Sequence, residues 1–243
     1  MFFPHLMKIG FTDLVLEIGP GAYPFWRSDC LADVYDETSD VDLTQFGGKE
    51  LNTKGKPLFR IENNLLPFKD DSFDYVICSH VFEHVPIAHL PQLISEIMRV
   101  SKKAYIEFPR TLYDYIYNLN VHVNIMDIVD GEIICCSKSN TMLKEDNNYQ
   151  LFSRHLRKTN TFSLDEVYSS ALIVGNEFSG SIPVKYINSE TEYFKLIQHG
   201  KYFVDPPSML WKILNKLHPK RILKNMLGEN KSKDFYHLLL KSE

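Results

Sequence analysis

The run LVLEIGPG, residues 14–21, combines an apolar stretch, one carboxylate and two closely spaced glycines. Glycine has no Cβ atom, so the backbone can turn sharply there and approach a ligand closely. The apolar residues before the glycines are typical of a strand that is buried on both faces. We therefore take Glu17, Gly19 and Gly21 as the first candidates for a ligand pocket. The glycines alone would also fit a tight turn that binds nothing.

A dinucleotide-binding turn is the first alternative to test. Such a turn has the pattern G-x-G-x-x-G, followed by an acidic residue roughly 20 positions further on. Here Pro24 occupies the place of the third glycine, and the next strand ends at Asp33, which is earlier than that spacing requires. The sequence therefore disfavours a pyrophosphate ligand. A carboxylate within the glycine turn is better suited to a ligand that carries an ammonium group.

The residues His80, Glu83 and His84 form the pattern H-x-x-E-H, which also occurs in one class of zinc protease. That class needs the pattern on a helix together with a distant acidic ligand. Here the pattern follows a predicted strand, and Pro86 limits any helix through it. We therefore do not interpret it as a protease site.

Three motifs in order carry a resemblance to a known family: the glycine turn, the run IENNLLPF at 61–68, and the run DDSFDYVICSH at 70–80, which leads into Glu83 and His84. From Leu14 to roughly Pro109, the chain resembles class I S-adenosylmethionine-dependent methyltransferases of the branch with LPF, D-x-S-F-D and S-H-x-x-E-H motifs. The resemblance implies a Rossmann-like, doubly wound α/β sheet, mostly parallel with an antiparallel hairpin at its end. It also implies S-adenosylmethionine as the cofactor.

The resemblance implies cofactor contacts at the carboxyl ends of the first two strands. Gly19 and Gly21 would line the methionine part of the cofactor, and Glu17 would approach its amino group through water. Asp33 would bind the ribose hydroxyls, with Asp36 as the second choice.

The later strands would supply the rest of the cofactor site. Glu62 falls where the family usually has an aspartate facing the adenine amino group, and Asn63 would lie beside the ring. Ser79 and His80 would contact the cofactor near its reactive methyl group.

Methyl transfer to an alcohol needs a proton acceptor, and histidine is the natural one at neutral pH. The candidates are His80, His84 and His122. We expect His122 on a strand near the acceptor, beside a tyrosine-rich helix; a purely structural, hydrogen-bonded histidine is the alternative.

A bound metal is a further alternative for this region. Some methyltransferases acting on RNA ends or quinone precursors have E-x-x-E-H at this place and hold a divalent ion, but here His80 replaces the first carboxylate. We therefore expect no metal, and a structural role for Glu83 and His84.

The elements that would position these residues alternate along the chain, which is typical of a parallel sheet. Strands are predicted near 14–19, 30–33, 59–62, 73–79 and 104–108, and a helix over 90–101. A hairpin about Asp130 and Gly131 is predicted to form the antiparallel end of the sheet. We expect residues 1–137 to be the cofactor-binding core, and residues 138–243 to be an insertion or lid followed by a C-terminal elaboration packed on the same domain.

Composition narrows the function classes. The net charge of −4 over 243 residues argues against a general nucleic-acid binder. The four cysteines form no metal-binding pattern, so free thiols in a reducing cytosol are expected. The start of the chain predicts neither a signal peptide nor a membrane span. Basic and apolar residues interleave over 209–227; packing within the protein is the favoured interpretation, and peripheral contact with anionic lipid is the alternative.

Three functions follow as hypotheses. The first is O-methylation of a small molecule or glycan, such as a cell-surface polysaccharide or natural product, in the cytoplasm or at the inner face of the membrane. The second is a metal-assisted methyltransferase of the RNA or quinone type. The third is a catalytically silent protein of the same fold that binds cofactor or a partner.

Overall fold

The computed structural model describes residues 1–35, 52–144, 169–198, 208–218, 221 and 239–241. Within these ranges the strands are β1 (Val15–Ile18), β2 (Cys30–Asp33), β3 (Leu58–Arg60), β4 (Tyr75–Ser79), β5 (Lys103–Pro109), β6 (Asn124–Val129), β7 (Glu132–Ser137), β8 (Ile173–Ser179) and β9 (Val184–Ile187). The α-helices are α1 (Leu90–Val100), α2 (Thr111–Tyr117), α3 (Ser169–Leu172), α4 (Glu190–Ile197) and α5 (Met209–Lys216). Short 3₁₀ turns cover Pro4–Leu6, Phe82–His84, Lys138–Asn140 and Met142–Lys144.

The main sheet has six strands in the order β3-β2-β1-β4-β5-β8. The first five are mutually parallel, and β8 pairs antiparallel with β5. This mostly parallel α/β sheet with an antiparallel end confirms the predicted fold class. Because the strands are parallel, the carboxyl ends of β1, β2, β4 and β5 lie along one edge of the sheet, where open α/β sheets bind their ligands.

The antiparallel end differs from the expectation. The predicted hairpin forms, with β6 and β7 joined at Asp130 and Gly131, but it belongs to a separate three-stranded sheet in the order β6-β7-β9. The edge strand of the main sheet is instead β8, whose first residue Ile173 lies opposite Pro109 at the end of β5. The predicted placement of the hairpin at the end of the main sheet was therefore wrong.

Alternation along the strands divides the core between the two faces of the main sheet. On one face, Leu16 and Val76 pack with buried residues of α1, including Leu93 and Ile97. This helix begins with Leu90 and has a proline in its first turn, where the missing N–H costs nothing. On the other face, Val15 and neighbouring aromatic residues pack against the start of the chain and α2. The strands are thus covered on both sides, which explains their continuous apolar sequences.

The four cysteines are all buried and none forms a disulfide. No helix in the described ranges is long and apolar enough to cross a lipid bilayer. The described part of the basic and apolar stretch packs on the protein itself: the Trp211 ring lies 5.8 Å from that of His5, and the His218 ring lies 5.3 Å from that of Trp26.

Candidate functional site

The glycine turn follows β1 and has a conformation that favours glycine. Gly19 and Gly21 have φ angles of +66° and +53°, in the left-handed region. The Gly19 N–H donates to the carbonyl of Ala32 at 2.9 Å, which fixes the turn across the end of β2. A Cβ atom on Gly19 would lie 2.4 Å from Cγ2 of Val81. Conformation and close approach therefore both require glycine at position 19.

Glu17 lies within β1 and is buried. Its Oε2 accepts a hydrogen bond from the Phe25 N–H at 2.8 Å and another from the Ser28 hydroxyl. Burial raises the pKa of Glu17, although these hydrogen bonds oppose the rise. The structure therefore places one oxygen of this carboxylate on the segment between β1 and β2, where it supports the glycine turn.

Asp33 ends β2 and is the clearest candidate for a ligand contact. Its side chain is 5% exposed, and Oδ1 accepts a 3.3 Å hydrogen bond from the Tyr35 N–H. Its other oxygen, Oδ2, is buried without a hydrogen-bond partner. Burial raises the pKa of Asp33 to about 6, with backbone N–H groups opposing the rise. A buried acceptor without a donor is unfavourable, and the hydroxyls of a ribose would supply donors. The residues at this edge therefore fit an adenosine-containing cofactor.

The other residues predicted to contact the nucleoside, Glu62 and Asn63, are exposed, unlike Asp33. Glu62 and Asn63 lie in an exposed turn after β3, and Asn63 has a φ of +51°. Glu62 Oε1 lies 3.8 Å from Nε of Arg60. Asp36, the second choice for the ribose, lies outside the described residues.

Ser79 and His80 continue the edge at the end of β4. The Ser79 hydroxyl donates to Oε1 of Glu107 at 2.7 Å. His80 has a left-handed backbone, with φ of +59°. Its Nδ1 is 3.3 Å from Oε1 of Glu83, and its Nε2 is 3.5 Å from Oε1 of Glu107. Burial alone would lower the pKa of His80, but the two carboxylates outweigh it and raise this pKa to about 9.

Glu107, on β5, is a buried carboxylate that the sequence analysis missed. It accepts hydrogen bonds from the N–H groups of Phe2 and Phe3, at 2.9 and 3.1 Å, and from the Tyr105 hydroxyl at 2.7 Å. Burial would raise its pKa, but His80 and the other donors hold the pKa of Glu107 well below its usual range. A lone glutamate in the otherwise apolar run YIEFP was the available signal.

His84 and His122 come from different segments and meet beside this edge. Their ring centroids are 4.9 Å apart in an edge-to-face arrangement. His84 Nδ1 donates to the carbonyl of Val121 at 2.9 Å, and His122 Nδ1 lies 2.9 Å from Oδ1 of Asp114. His122 is buried. The sequence analysis expected it on a strand, but it lies in the segment before β6, which begins at Asn124. Asp114, on α2, was not identified from the sequence.

The structure thus brings Gly19, Asp33, Ser79 and His80 to one edge of the sheet, at the ends of β1, β2 and β4. Hydrogen bonds and ion pairs extend this group through Glu107 and Glu83. Glu62 and Asn63 follow β3, the outermost strand on that side.

Comparison with known proteins gives a family match over part of the chain. Residues 19–104 match a family model described as a methyltransferase domain. No curated protein matches the chain.

The chain also matches several solved structures at low identity. They include the PH0226 protein of Pyrococcus horikoshii, at 18% identity over 63% of this chain and 76% of that one, with a TM-score of 0.36. A protein of Methanosarcina mazei titled as a SAM-dependent methyltransferase shares 18% identity over 50% of this chain and 69% of its own, with a TM-score of 0.34. A protein of Thermotoga maritima, titled as a possible histamine N-methyltransferase, shares 17% identity over 42% of this chain and 46% of its own, with a TM-score of 0.31.

Proposed function

We propose that this chain, whose residues 19–104 match a methyltransferase domain, is a class I methyltransferase that uses S-adenosylmethionine to methylate a hydroxyl oxygen of a small molecule or glycan. The observation that carries this proposal is the pair of imidazoles formed by His84 and His122, which lie side by side near the carboxyl edge of β4. Oxygen acceptors lose a proton during methylation, and such a pair offers places to receive it.

The cofactor supplies a methyl group on a positively charged sulfur when it is bound. The chain's own contribution is to hold it and to align the acceptor. In our proposal, Oδ2 of Asp33 accepts hydrogen bonds from the ribose hydroxyls, and the turn at Gly19 and Gly21 allows close approach of the methionine part. Glu17 contributes to the shape of this turn through Phe25, and approaches the amino group through water.

The hydrogen bonds of the two histidines determine which ring nitrogen is available. A carbonyl oxygen only accepts, so the proton of neutral His84 is on Nδ1, facing Val121. His122 directs Nδ1 at the Asp114 carboxylate in the same way. In the neutral rings, both Nε2 atoms therefore carry lone pairs. Orientation of an imidazole by a second group is common in general-base catalysis.

The acceptor could also be linked to a lipid. Basic residues over 209–227 would then contact an anionic membrane on its cytoplasmic side, as the composition of this stretch suggested. The packing of Trp211 on His5 favours a role within the protein. Co-sedimentation with anionic vesicles tests the membrane contact, and absence of the protein from the pellet would exclude it.

The test of function has two stages. Calorimetry with S-adenosylhomocysteine, on the native chain and on Gly19→Arg, tests the cofactor site: the native chain should bind and the variant should not. A methyl-transfer screen over sugars, lipid-linked sugars and matched amines then tests the acceptor class.

With an acceptor found, His122→Gln should lower kcat by about 10²- to 10⁴-fold and leave the affinity for S-adenosylhomocysteine unchanged. His89→Ala, which changes an exposed histidine before α1, is the matched control and should behave as wild type. Turnover of amines without turnover of hydroxyls would contradict O-methylation. Cofactor binding with no turnover of any acceptor would favour the silent binding protein.

A further inference from the structure

Glu83, His84 and His122 place one carboxylate and two imidazoles together, with their ligand atoms all within 4.8 Å of one another. This group differs from the one that the sequence pattern raised, because His122 takes the place of His80 as its third member. We propose that Glu83, His84 and His122 bind a divalent transition-metal cation of the zinc type, contrary to the expectation of no metal.

The two imidazoles are already oriented as metal ligands. His84 uses Nδ1 to donate to the Val121 carbonyl, and His122 uses Nδ1 toward the Asp114 carboxylate. Metal-binding histidines commonly bond a carbonyl or carboxylate through one nitrogen, which directs the lone pair of the other nitrogen at the cation. The Val121 carbonyl and the Asp114 carboxylate are the corresponding partners here.

The carboxylate of Glu83 is buried, at 1% exposure, and faces His80 and His84. Neither of its oxygens makes a hydrogen bond of good geometry, although Oε1 is 3.3 Å from Nδ1 of His80 and 3.9 Å from Nε2 of His84. Burial of an ionised carboxylate is costly unless positive charge or hydrogen bonds compensate for it. A cation held by Glu83, His84 and His122 would add positive charge beside this carboxylate, on which His80 also acts.

The segments that carry the three side chains are fixed to each other. The Asn124 side-chain amide donates to the carbonyls of Phe82 and Val85, at 3.1 and 2.6 Å. The Val123 N–H donates to the Glu83 carbonyl at 2.8 Å. These bonds join the 3₁₀ turn at Phe82–His84 to the start of β6. The site is therefore held by the backbone before any cation binds, which reduces the cost of ordering the ligands.

The kind and spacing of the donors select the cation. Two imidazole nitrogens and one carboxylate oxygen suit zinc and its first-row neighbours, and three protein ligands leave a position open for a water or a substrate. Ligands bound at about 2.0–2.1 Å in a tetrahedron lie about 3.3 Å apart. His84 Nε2 and Glu83 Oε1, now 3.9 Å apart, would have to approach by only about half an ångström.

The chemical role of this site rests on the proposed function, but binding of the cation does not. A cation beside the acceptor would stabilise the negative charge that grows on the hydroxyl oxygen as its proton leaves for solvent. His84 and His122 would then act by holding the cation rather than by receiving the proton.

Calorimetry with ZnCl₂ on the full chain, after removal of metals with a chelator, measures binding directly. The visible absorption spectrum after Co²⁺ addition reports the ligand set. We expect one Zn²⁺ per chain and a Co²⁺ spectrum of low-coordinate, nitrogen-containing type. His84→Gln and Glu83→Gln should each weaken Zn²⁺ binding by at least about 30-fold. Asp114→Asn, which changes the orienting partner of His122, should weaken it by about 10- to 100-fold.

His89→Ala removes an exposed histidine outside the group and should bind Zn²⁺ as wild type does. His84 is partly exposed and Glu83→Gln keeps the side-chain shape, so circular dichroism should show both variants folded. A wild-type chain that binds no Zn²⁺, or that binds it no more tightly than His84→Gln, overturns the inference. Methylation of hydroxyls by such a chain would leave the proposed function intact. Specific Zn²⁺ binding without methylation of any hydroxyl would support the site and contradict that function.

Discussion

Replacing Asp33 with asparagine tests the buried carboxylate that we assign to the ribose hydroxyls. In the free protein, Oδ2 of Asp33 has no hydrogen-bond partner, and burial raises the pKa from 3.8 to about 6. Each tenfold change in proton affinity is worth about 1.4 kcal/mol, so the ionised form lowers the free energy of unfolding by roughly 3 kcal/mol. We expect Asp33→Asn to remove this cost.

The sign of the effect depends on pH. The pKa of Asp33 is higher in the folded chain than in the unfolded chain, so between about pH 4 and pH 6 Asp33 is protonated in the folded chain and ionised in the unfolded chain. Stability from this group is therefore complete below about pH 4 and is lost as the pH rises through 6. The buried amide of the new asparagine also lacks a hydrogen-bond partner, which lowers the free energy of unfolding by about 1–3 kcal/mol and offsets part of the gain. At pH 7.5 the net gain should be about 0–2 kcal/mol, and at pH 4 it should vanish or reverse.

Urea unfolding at the two pH values measures the stability, and calorimetry measures binding of S-adenosylhomocysteine. Loss of a charge-assisted hydrogen bond costs about 1.5–3 kcal/mol, so affinity should fall about 10- to 150-fold. Asp29→Asn is the matched control, because Asp29 accepts hydrogen bonds from Val15 and Arg27, each at 3.1 Å. That change should destabilise the protein at pH 7.5. An Asp33→Asn chain that is less stable than wild type at pH 7.5 and binds S-adenosylhomocysteine normally would refute our reasoning. Loss of binding in Asp36→Asn instead would favour Asp36, the second choice, as the residue that binds the ribose.

Two further changes test the edge of the sheet. Gly19→Ala should lower the free energy of unfolding by about 2–3 kcal/mol in urea titrations, because its backbone is left-handed and its Cβ would contact Val81; Val81→Ala in the same chain should restore part of this loss. The control is Gly180→Ala, which has a φ of +76° and open space around its Cβ and should cost only about 1 kcal/mol. Equal losses at both glycines would contradict the proposed contact. Glu107→Gln should destabilise the chain by about 3 kcal/mol, because several donors face a buried charge, whereas a loss below about 1 kcal/mol would show that this network contributes little.

Local sequence was sufficient to predict much of the main sheet. The five parallel strands were predicted within two residues at each end, because continuous apolar runs bounded by turn residues are local signals. The sharp turn at Gly19 and the position of Asp33 at the end of β2 were also predicted from local sequence; the structure added that the turn is left-handed. Parallel strands place such residues along one edge, so the sequence also predicted which edge of the sheet carries the candidate side chains.

The antiparallel edge depended on contacts that the sequence does not display. Strand β8 contains Gly175, Asn176 and Glu177, which have low strand propensity. Gly175 is required there because a Cβ would lie 2.2 Å from the Tyr105 hydroxyl. Strand β8 forms because it packs against β5 and not because its own residues favour a strand, so a short stretch of sequence does not predict it.

Residue identity and turn chemistry therefore determined the candidate side chains and the edge of the sheet on which they lie. The tertiary structure alone decided their partners: Glu107 with the start of the chain, His122 with Asp114, and His84 beside His122. Hydrogen bonds and ion pairs between distant segments have no sequence period, since they depend on how folded elements pack, and so the grouping of Glu83 with two histidines could be found only in three dimensions.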